Sequence, residues 1–257
     1  MAAEIITIAS LKGGAGKTAT AYALAVAAAA SGLRTVVLDL DSAGGLTTAL
    51  TVGRRPVTVA DVILHGRPLE SALLRHRTGL QLAPADRALA DAAISEHRLQ
   101  SLVEPLRDSS DIVLIDTDPA GSGLLNSIAV ADRVVIPTTF DILSLRAAAL
   151  TIGLAESVQG LGKVGGLSVG NVTRVMTRTE ESLFRGLTSS GLAYETVLWT
   201  SPDWANIVAG TCDHAPDDVV MQGKLLLREV AVRAPSDGAL RYFISLAKGN
   251  REAVAAG

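Results

Sequence analysis

Residues 11–18 of this 257-residue chain read Leu-Lys-Gly-Gly-Ala-Gly-Lys-Thr, directly after the apolar run Ile5-Ile6-Thr7-Ile8-Ala9 and directly before the alanine-rich stretch 19–30. A strand feeding a glycine-rich turn feeding a helix aims several backbone N–H groups at one point, at the positive end of a helix dipole. Polyphosphate is the natural occupant of such a point. Gly13, Gly14 and Gly16 let phosphate approach the backbone without side-chain interference, Lys17 supplies a point charge to the outer phosphates, and the Thr18 hydroxyl is placed to ligate Mg²⁺.

Short β-branched runs alternate with longer helical stretches through most of the chain, the pattern of an α/β fold: a doubly wound, mostly parallel sheet with helices on both faces. Strands are expected at residues 4–10, 35–40, 80–83, 112–116, 133–137, 168–175 and 195–199, and helices at 17–30, 57–64, 85–106, 124–130, 143–159, 180–189, 202–208 and 239–248. With no long polar linker, repeat or low-complexity tract, the expectation is one domain over residues 1–257, without a separate DNA-reading domain. In the last helix Leu240, Phe243, Ile244 and Ala247 share a face suited to docking on the core.

In an open parallel sheet, ligands bind beyond the carboxyl ends of the strands, so acids at those ends become candidates. Two strands end that way: Val36-Val37-Leu38-Asp39-Leu40-Asp41 and Asp111-Ile112-Val113-Leu114-Ile115-Asp116. Asp116, after four apolar residues, has the form of an acid that holds a water of the Mg²⁺ shell. Asp39 is expected to support the loop that follows it. Asp118, followed by Pro119, reads as a cap for the next helix. Trp199 and Trp204 flank Thr200-Ser201-Pro202, with core packing expected of each ahead of stacking on a base.

Composition excludes several classes. The chain is 48% hydrophobic with mean hydropathy +0.35, but its longest apolar stretch, 21–30, is too short and too alanine-rich to cross a bilayer. The single Cys212 allows no intrachain disulfide, and His65, His76, His97 and His214 have no mutual spacing that suggests a metal site. No export leader is seen before Glu4, so a cytoplasmic location is expected. From Gln222 onward Lys224, Arg228, Arg233, Arg241, Lys248 and Arg251 outnumber Glu229, Asp237 and Glu252, which gives a basic tail on a chain of net charge −3. Such an edge permits contact with a polyanion through one face.

The first glycine of the general phosphate-loop pattern is replaced by Leu11, and Lys12 follows it. In this the chain resembles the ParA/MinD family of ATPases, whose members carry a second, signature lysine at the position of Lys12. The resemblance implies ATP or ADP held with Mg²⁺ by Lys12, Gly13, Gly14, Ala15, Gly16, Lys17, Thr18 and Ala19. It implies catalytic roles for Lys12, which reaches a partner's nucleotide across a homodimer formed in the ATP state, for Lys17, and for Asp41, which orients the attacking water. The metal shell falls to Thr18, Asp41 and Asp116. Two departures stand out: Ser42-Ala43 where partition-type members usually have Pro-Gln after the acid, and Thr117-Asp118-Pro119 where they commonly have Pro-Pro.

Absences separate the branches. Nitrogenase-reductase and cluster-scaffold relatives need cysteines, and the tyrosine-kinase branch needs a tyrosine-rich tail, whereas here the tail carries only Tyr242. Residues 250–257 offer too little apolar area for a stable membrane anchor. A short ParA-type partition ATPase is the expected reading. It would be nucleoid-associated, bind double-stranded DNA without sequence preference, and move plasmid, chromosome or other cargo with a ParB-like or small DNA-binding adaptor that stimulates hydrolysis. The alternative is a MinD-like membrane-surface regulator or a weakly hydrolysing nucleotide switch.

Overall fold

Ile5 and Ile6 are both fully buried, yet they serve opposite faces of one sheet, and the same alternation repeats at Val36/Val37, Val113/Leu114 and Val134/Val135. A strand with no polar face must be covered on both sides. The computed structural model describes residues 2–51, 57–120, 122–172, 175–212, 214–232 and 234–247. Its strands are β1 (Glu4–Ile8), β2 (Thr35–Leu40), β3 (Leu74–Arg75), β4 (Gln81–Ala83), β5 (Ile112–Thr117), β6 (Arg133–Thr138), β7 (Val164–Val172) and β8 (Ala193–Trp199). They form one sheet in the order β3-β4-β2-β5-β1-β6-β7-β8, parallel throughout except for the β3–β4 edge pair.

The helices are α1 (Lys17–Ala30), α2 (Gly45–Leu50), α3 (Val59–His65), α4 (Glu96–Val103), α5 (Leu106–Ser109), α6 (Ser122–Val130), α7 (Ile142–Gln159), α8 (Arg178–Ser189), α9 (Trp204–Val208), α10 (Asp217–Val232) and α11 (Asp237–Ala247). α1, α2, α9 and α10 cover one face, while α3 to α8 and α11 cover the other, so the expected doubly wound architecture is the observed one. Because β1 lies between β5 and β6, the turn after β1 sits at the centre of the sheet's carboxyl edge.

Several expected elements differ. The helix expected over 85–106 is a 3₁₀ turn (Arg87–Asp91), an extended break and then α4. Two side-chain caps explain the break: Asp86 accepts from the Ala88 N–H at 2.9 Å, and Ser95 accepts from the Arg98 N–H at 3.2 Å. Each starts a helix, so one continuous helix cannot form through them. β7 begins at Val164 instead of 168, while α2, α10 and the edge strand β3 were not expected at all. Trp199 is not a core residue: its side chain stays 42% exposed at the end of β8. In α11, Leu240 and Ile244 are buried as the spacing predicted. Arg233, Lys248, Arg251 and the segment 250–257 lie outside the described residues.

Candidate functional site

The turn between β1 and α1 takes the shape its glycines permit. Gly14 and Gly16 have φ of +74° and +97°, left-handed values that L side chains rarely adopt. Gly16 is the N-cap of α1 and supplies no capping side chain, and the first turn of the helix holds no acid. The first N–H groups of α1 are therefore left for an external acceptor, beside the positive end of a dipole. They face a cavity of about 540 Å³ whose walls include Gly13, Gly14, Gly16, Lys17, Thr18, Asp41, Ser42, Asp118 and Trp204. That volume lies within the usual range for small-molecule sites. Trp204 lines this cavity and also meets Tyr22 edge to face with ring centroids 5.8 Å apart, so it does more than fill the core. Ala15 is buried, and Ala19 borders both this cavity and a smaller one beside Trp199.

Lys17 is almost entirely buried, and its Nζ donates to the Lys12 carbonyl at 3.3 Å. Burial pulls its pKa down, against the opposing pull of Asp116, Asp41 and Asp118. Asp39 and Asp116 are paired in register on β2 and β5, and both are fully buried. Their roles divide by hydrogen bonding. Asp39 accepts from the Thr47 N–H at 2.7 Å, the Thr47 hydroxyl at 2.6 Å and the Asp41 N–H at 3.1 Å, which ties the loop after β2 to the start of α2. Asp116 accepts from the Thr18 hydroxyl at 3.1 Å and from the Thr117 N–H at 3.1 Å, buried behind the cavity wall that Thr18 forms. Asp41 is half-buried and accepts from the Ala43 N–H at 2.8 Å.

Asp118 does not cap α6 as expected, because the helix starts later, at Ser122. Its carboxylate instead accepts from the Ala120 N–H at 3.2 Å and from the Ser42 hydroxyl at 3.1 Å. The two departures noted in the sequence thus touch each other, joining the loop after β2 to the loop after β5.

Four carboxylates gather here against one amine, and burial together with mutual repulsion raises the pKa of Asp39, Asp41 and above all Asp116. Hard oxygen donors with surplus negative charge suit Mg²⁺, which Thr18, Asp41 and Asp116 would hold. A carboxyl whose pKa rises on folding favours the protonated fold, so the metal-free chain should lose stability as pH climbs from the ordinary Asp range through the raised value. Melting curves between about pH 5 and pH 8 should show a steeper fall for the wild type than for Asp116→Asn, with Mg²⁺ restoring the wild type alone. Equal slopes for the two chains would count against this charge balance.

Lys12 stands apart from the other loop residues. Its Nζ lies 3.2 and 3.3 Å from the Asp141 carboxylate oxygens and 2.6 Å from Ser144 Oγ, at the start of α7. The sequence reading singled out neither Asp141 nor Ser144. The signal available was an acid just past the carboxyl end of β6, the same rule that found Asp41 and Asp116. Around this pair Leu11, Ile142, Leu143 and Leu150 are exposed, Ile142 by 76%.

Fold and loop together define a P-loop nucleotide-binding protein, and a family model described as an AAA domain matches residues 3–160. Over 167 residues the chain is 36% identical to the septum site-determining protein MinD of Synechocystis, a match covering 63% of this chain and 62% of that one. Over 170 residues it is 32% identical to the chromosome partitioning protein ParA of Caulobacter vibrioides, covering 61% and 64%. The match thus spans less than two thirds of the length of each relative. The chain belongs to the ParA/MinD family of P-loop ATPases. Among solved structures it is similar to cobyrinic acid a,c-diamide synthase from Mycobacterium smegmatis, solved with ADP and magnesium. That structure has a TM-score of 0.71 at 24% identity and covers 91% of this chain and 98% of its own, a likeness of fold alone.

Proposed function

We propose that this chain is an ATP-driven positioning switch: it binds ATP with Mg²⁺, dimerises in that state, hydrolyses the nucleotide with help from a partner protein, and in doing so partitions DNA or positions cargo. The observation that carries the reading is the pairing of an uncapped, glycine-shaped helix start with strand-end carboxylates, Asp41 in the cavity wall and the buried Asp116 hydrogen-bonded to Thr18 behind it, while a second amine lies at an apolar rim. In this reading Lys17 and the first N–H groups of α1 hold the phosphates. Thr18, Asp41 and Asp116 would hold the metal shell, and Asp41 also orients water. Phosphoryl transfer needs positioning and charge stabilisation more than covalent chemistry, which these groups are suited to supply. When bound, Mg²⁺ neutralises charge on the outer phosphates.

The exposed apolar residues Leu11, Ile142, Leu143 and Leu150 support a second copy as the partner at Lys12. Hydrolysis and dimerisation should separate by mutation. Asp41→Ala is expected to slow phosphate release by about 100-fold while leaving the ATP-dependent dimer intact; Lys12→Ala should lose the dimer first. Identical behaviour of the two variants in sedimentation and turnover would sink both roles.

Non-specific binding to double-stranded DNA, and through it a nucleoid location, rests on fewer residues than the basic tail suggests. Lys224 and Arg228 lie one turn apart on α10, whereas Arg241 is engaged with Glu156. Gel shift of random duplex should need ATP and weaken steeply with salt, since each phosphate contact releases counterions. Binding without nucleotide, or none with it, overturns the DNA reading. Co-sedimentation with anionic vesicles tests the MinD-like alternative. Among the described residues no helix is long and apolar enough to cross a membrane.

A further inference from the structure

The loops after β2 and β5 are each folded by an aspartate onto its own backbone. Asp41 accepts from the Ala43 N–H at 2.8 Å and Asp118 from the Ala120 N–H at 3.2 Å, the same two-residue span, so each carboxylate uses one oxygen to close a turn. The Asp41 carbonyl also accepts from the Gly44 N–H at 2.8 Å, which places Ser42 inside the turn. Ser42 then donates its hydroxyl to the other oxygen of Asp118 at 3.1 Å. Asp41, Ser42 and Asp118 all border the nucleotide-sized cavity.

The bridge acts on Asp41 through the backbone. Ser42 lies between the aspartate and the N–H that aspartate binds, so whatever fixes Ser42 fixes the turn and with it the plane of the Asp41 carboxylate. Asp39 holds the loop elsewhere, at the Asp41 N–H and at the Thr47 N–H, which secures its two ends but not its tip. Pro119 biases Asp118 towards extended backbone, so the far end of the bridge is stiff. Among the described residues the second oxygen of Asp41 has no protein hydrogen bond and is available to water in the cavity.

We infer that Asp118, acting through Ser42, is a positioning residue for hydrolysis: the bridge holds the turn that aims Asp41 at the attacking water before any partner protein engages. The inference deepens the hydrolytic reading above and rests on it. A hydroxyl suits the task because it ties the two loops together without neutralising either acid, as a lysine or arginine in its place would do. Both bridging residues fall at the two departures from the family pattern, so the device belongs to this chain's own sequence.

The competing role for Asp118 is a further carboxylate of the metal shell, and Asp118→Asn separates the two. Its amide oxygen keeps the Ala120 N–H while its amide N–H donates to Ser42 Oγ, so the bridge survives without the charge. In ATP turnover with Mg²⁺ and no partner protein, Ser42→Ala and Asp118→Ala should each lower kcat by roughly threefold to tenfold, the scale of one hydrogen bond to a carboxylate, with KM moving by less than about twofold. Ser42→Thr and Asp118→Asn should recover most of the loss, and Ser42→Ala/Asp118→Ala should fall no further than either single change. In the chain without nucleotide, amide exchange over residues 41–45 should quicken in both alanine variants and not in Asp118→Asn. Should Asp118→Ala fail to fold, Ser42→Ala, which leaves every carboxylate in place, decides the same question. Asp118→Asn as slow as Asp118→Ala, additive losses in the double variant, or unchanged exchange in Ser42→Ala overturns the inference and leaves hydrolysis itself standing. A wild type that binds ATP without turning it over removes the hydrolytic reading and this assignment with it.

Discussion

Lys17→Ala should reduce ATP hydrolysis by about 100-fold or more, some 2.7 kcal/mol of lost transition-state stabilisation, while the chain still folds. Lys17 is the one amine in the cavity wall among the described residues, set against Asp41, Asp116 and Asp118. Without it a triphosphate would meet three carboxylates with only backbone dipoles to offset them. The fold should tolerate the loss because the side chain's hydrogen bond to the Lys12 carbonyl is a long one, 3.3 Å, and removing a buried amine also removes its desolvation cost. Lys17→Arg should not rescue, since a planar guanidinium cannot replace a compact ammonium inside a tight loop. Phosphate release and nucleotide binding measured side by side decide the matter. A Lys17→Ala chain that retains turnover within a few-fold would remove the cavity from the mechanism.

Gly223→Ala should destabilise the chain by about 2 kcal/mol, although alanine is the better helix former by about 1 kcal/mol. Gly223 lies inside α10 where that helix crosses α1. A Cβ built there would stand 2.1 Å from the Ala23 carbonyl oxygen and 2.8 Å from Ala27 Cβ. The nearest atom is backbone, which cannot swing away, so the helices must separate. Packing therefore outweighs propensity, and urea unfolding without nucleotide should show a lower midpoint. The effect should also reach the site, because α1 is the helix that starts at Lys17. A rise in the midpoint would mean that the crossing is looser than these distances imply.

Gly223 also illustrates why α10 is not legible in the sequence. Its run Asp-Asp-Val-Val-Met-Gln-Gly-Lys has a glycine where a helix is locally weakened, and only the nearness of α1 makes that residue an asset. The stretch 85–106 failed in the opposite way. Its alanines and leucines favour one helix, but Asp86 and Ser95 each start a new one, and the apolar residues between them, Leu89 and Ile94, are buried as separate anchors. Residue type favours the core for Trp199, yet β8 is an edge strand at the end of the sheet, so one side of its last residue meets solvent.

Sequence alone determined the alternation of strand and helix, the loop at residues 11–18 and the acids at the ends of β2 and β5, because all of these are local: a period, a glycine pattern, a carboxylate after an apolar run. Only the tertiary structure decided which residues from distant segments share a hydrogen bond. Asp118 reaches Ser42 across 76 positions and Asp141 reaches Lys12 across 129, and no local pattern specifies a partner that far along the chain. Those pairings follow from the strand order, which lays β1, β2, β5 and β6 side by side and brings the loops at their carboxyl ends into contact.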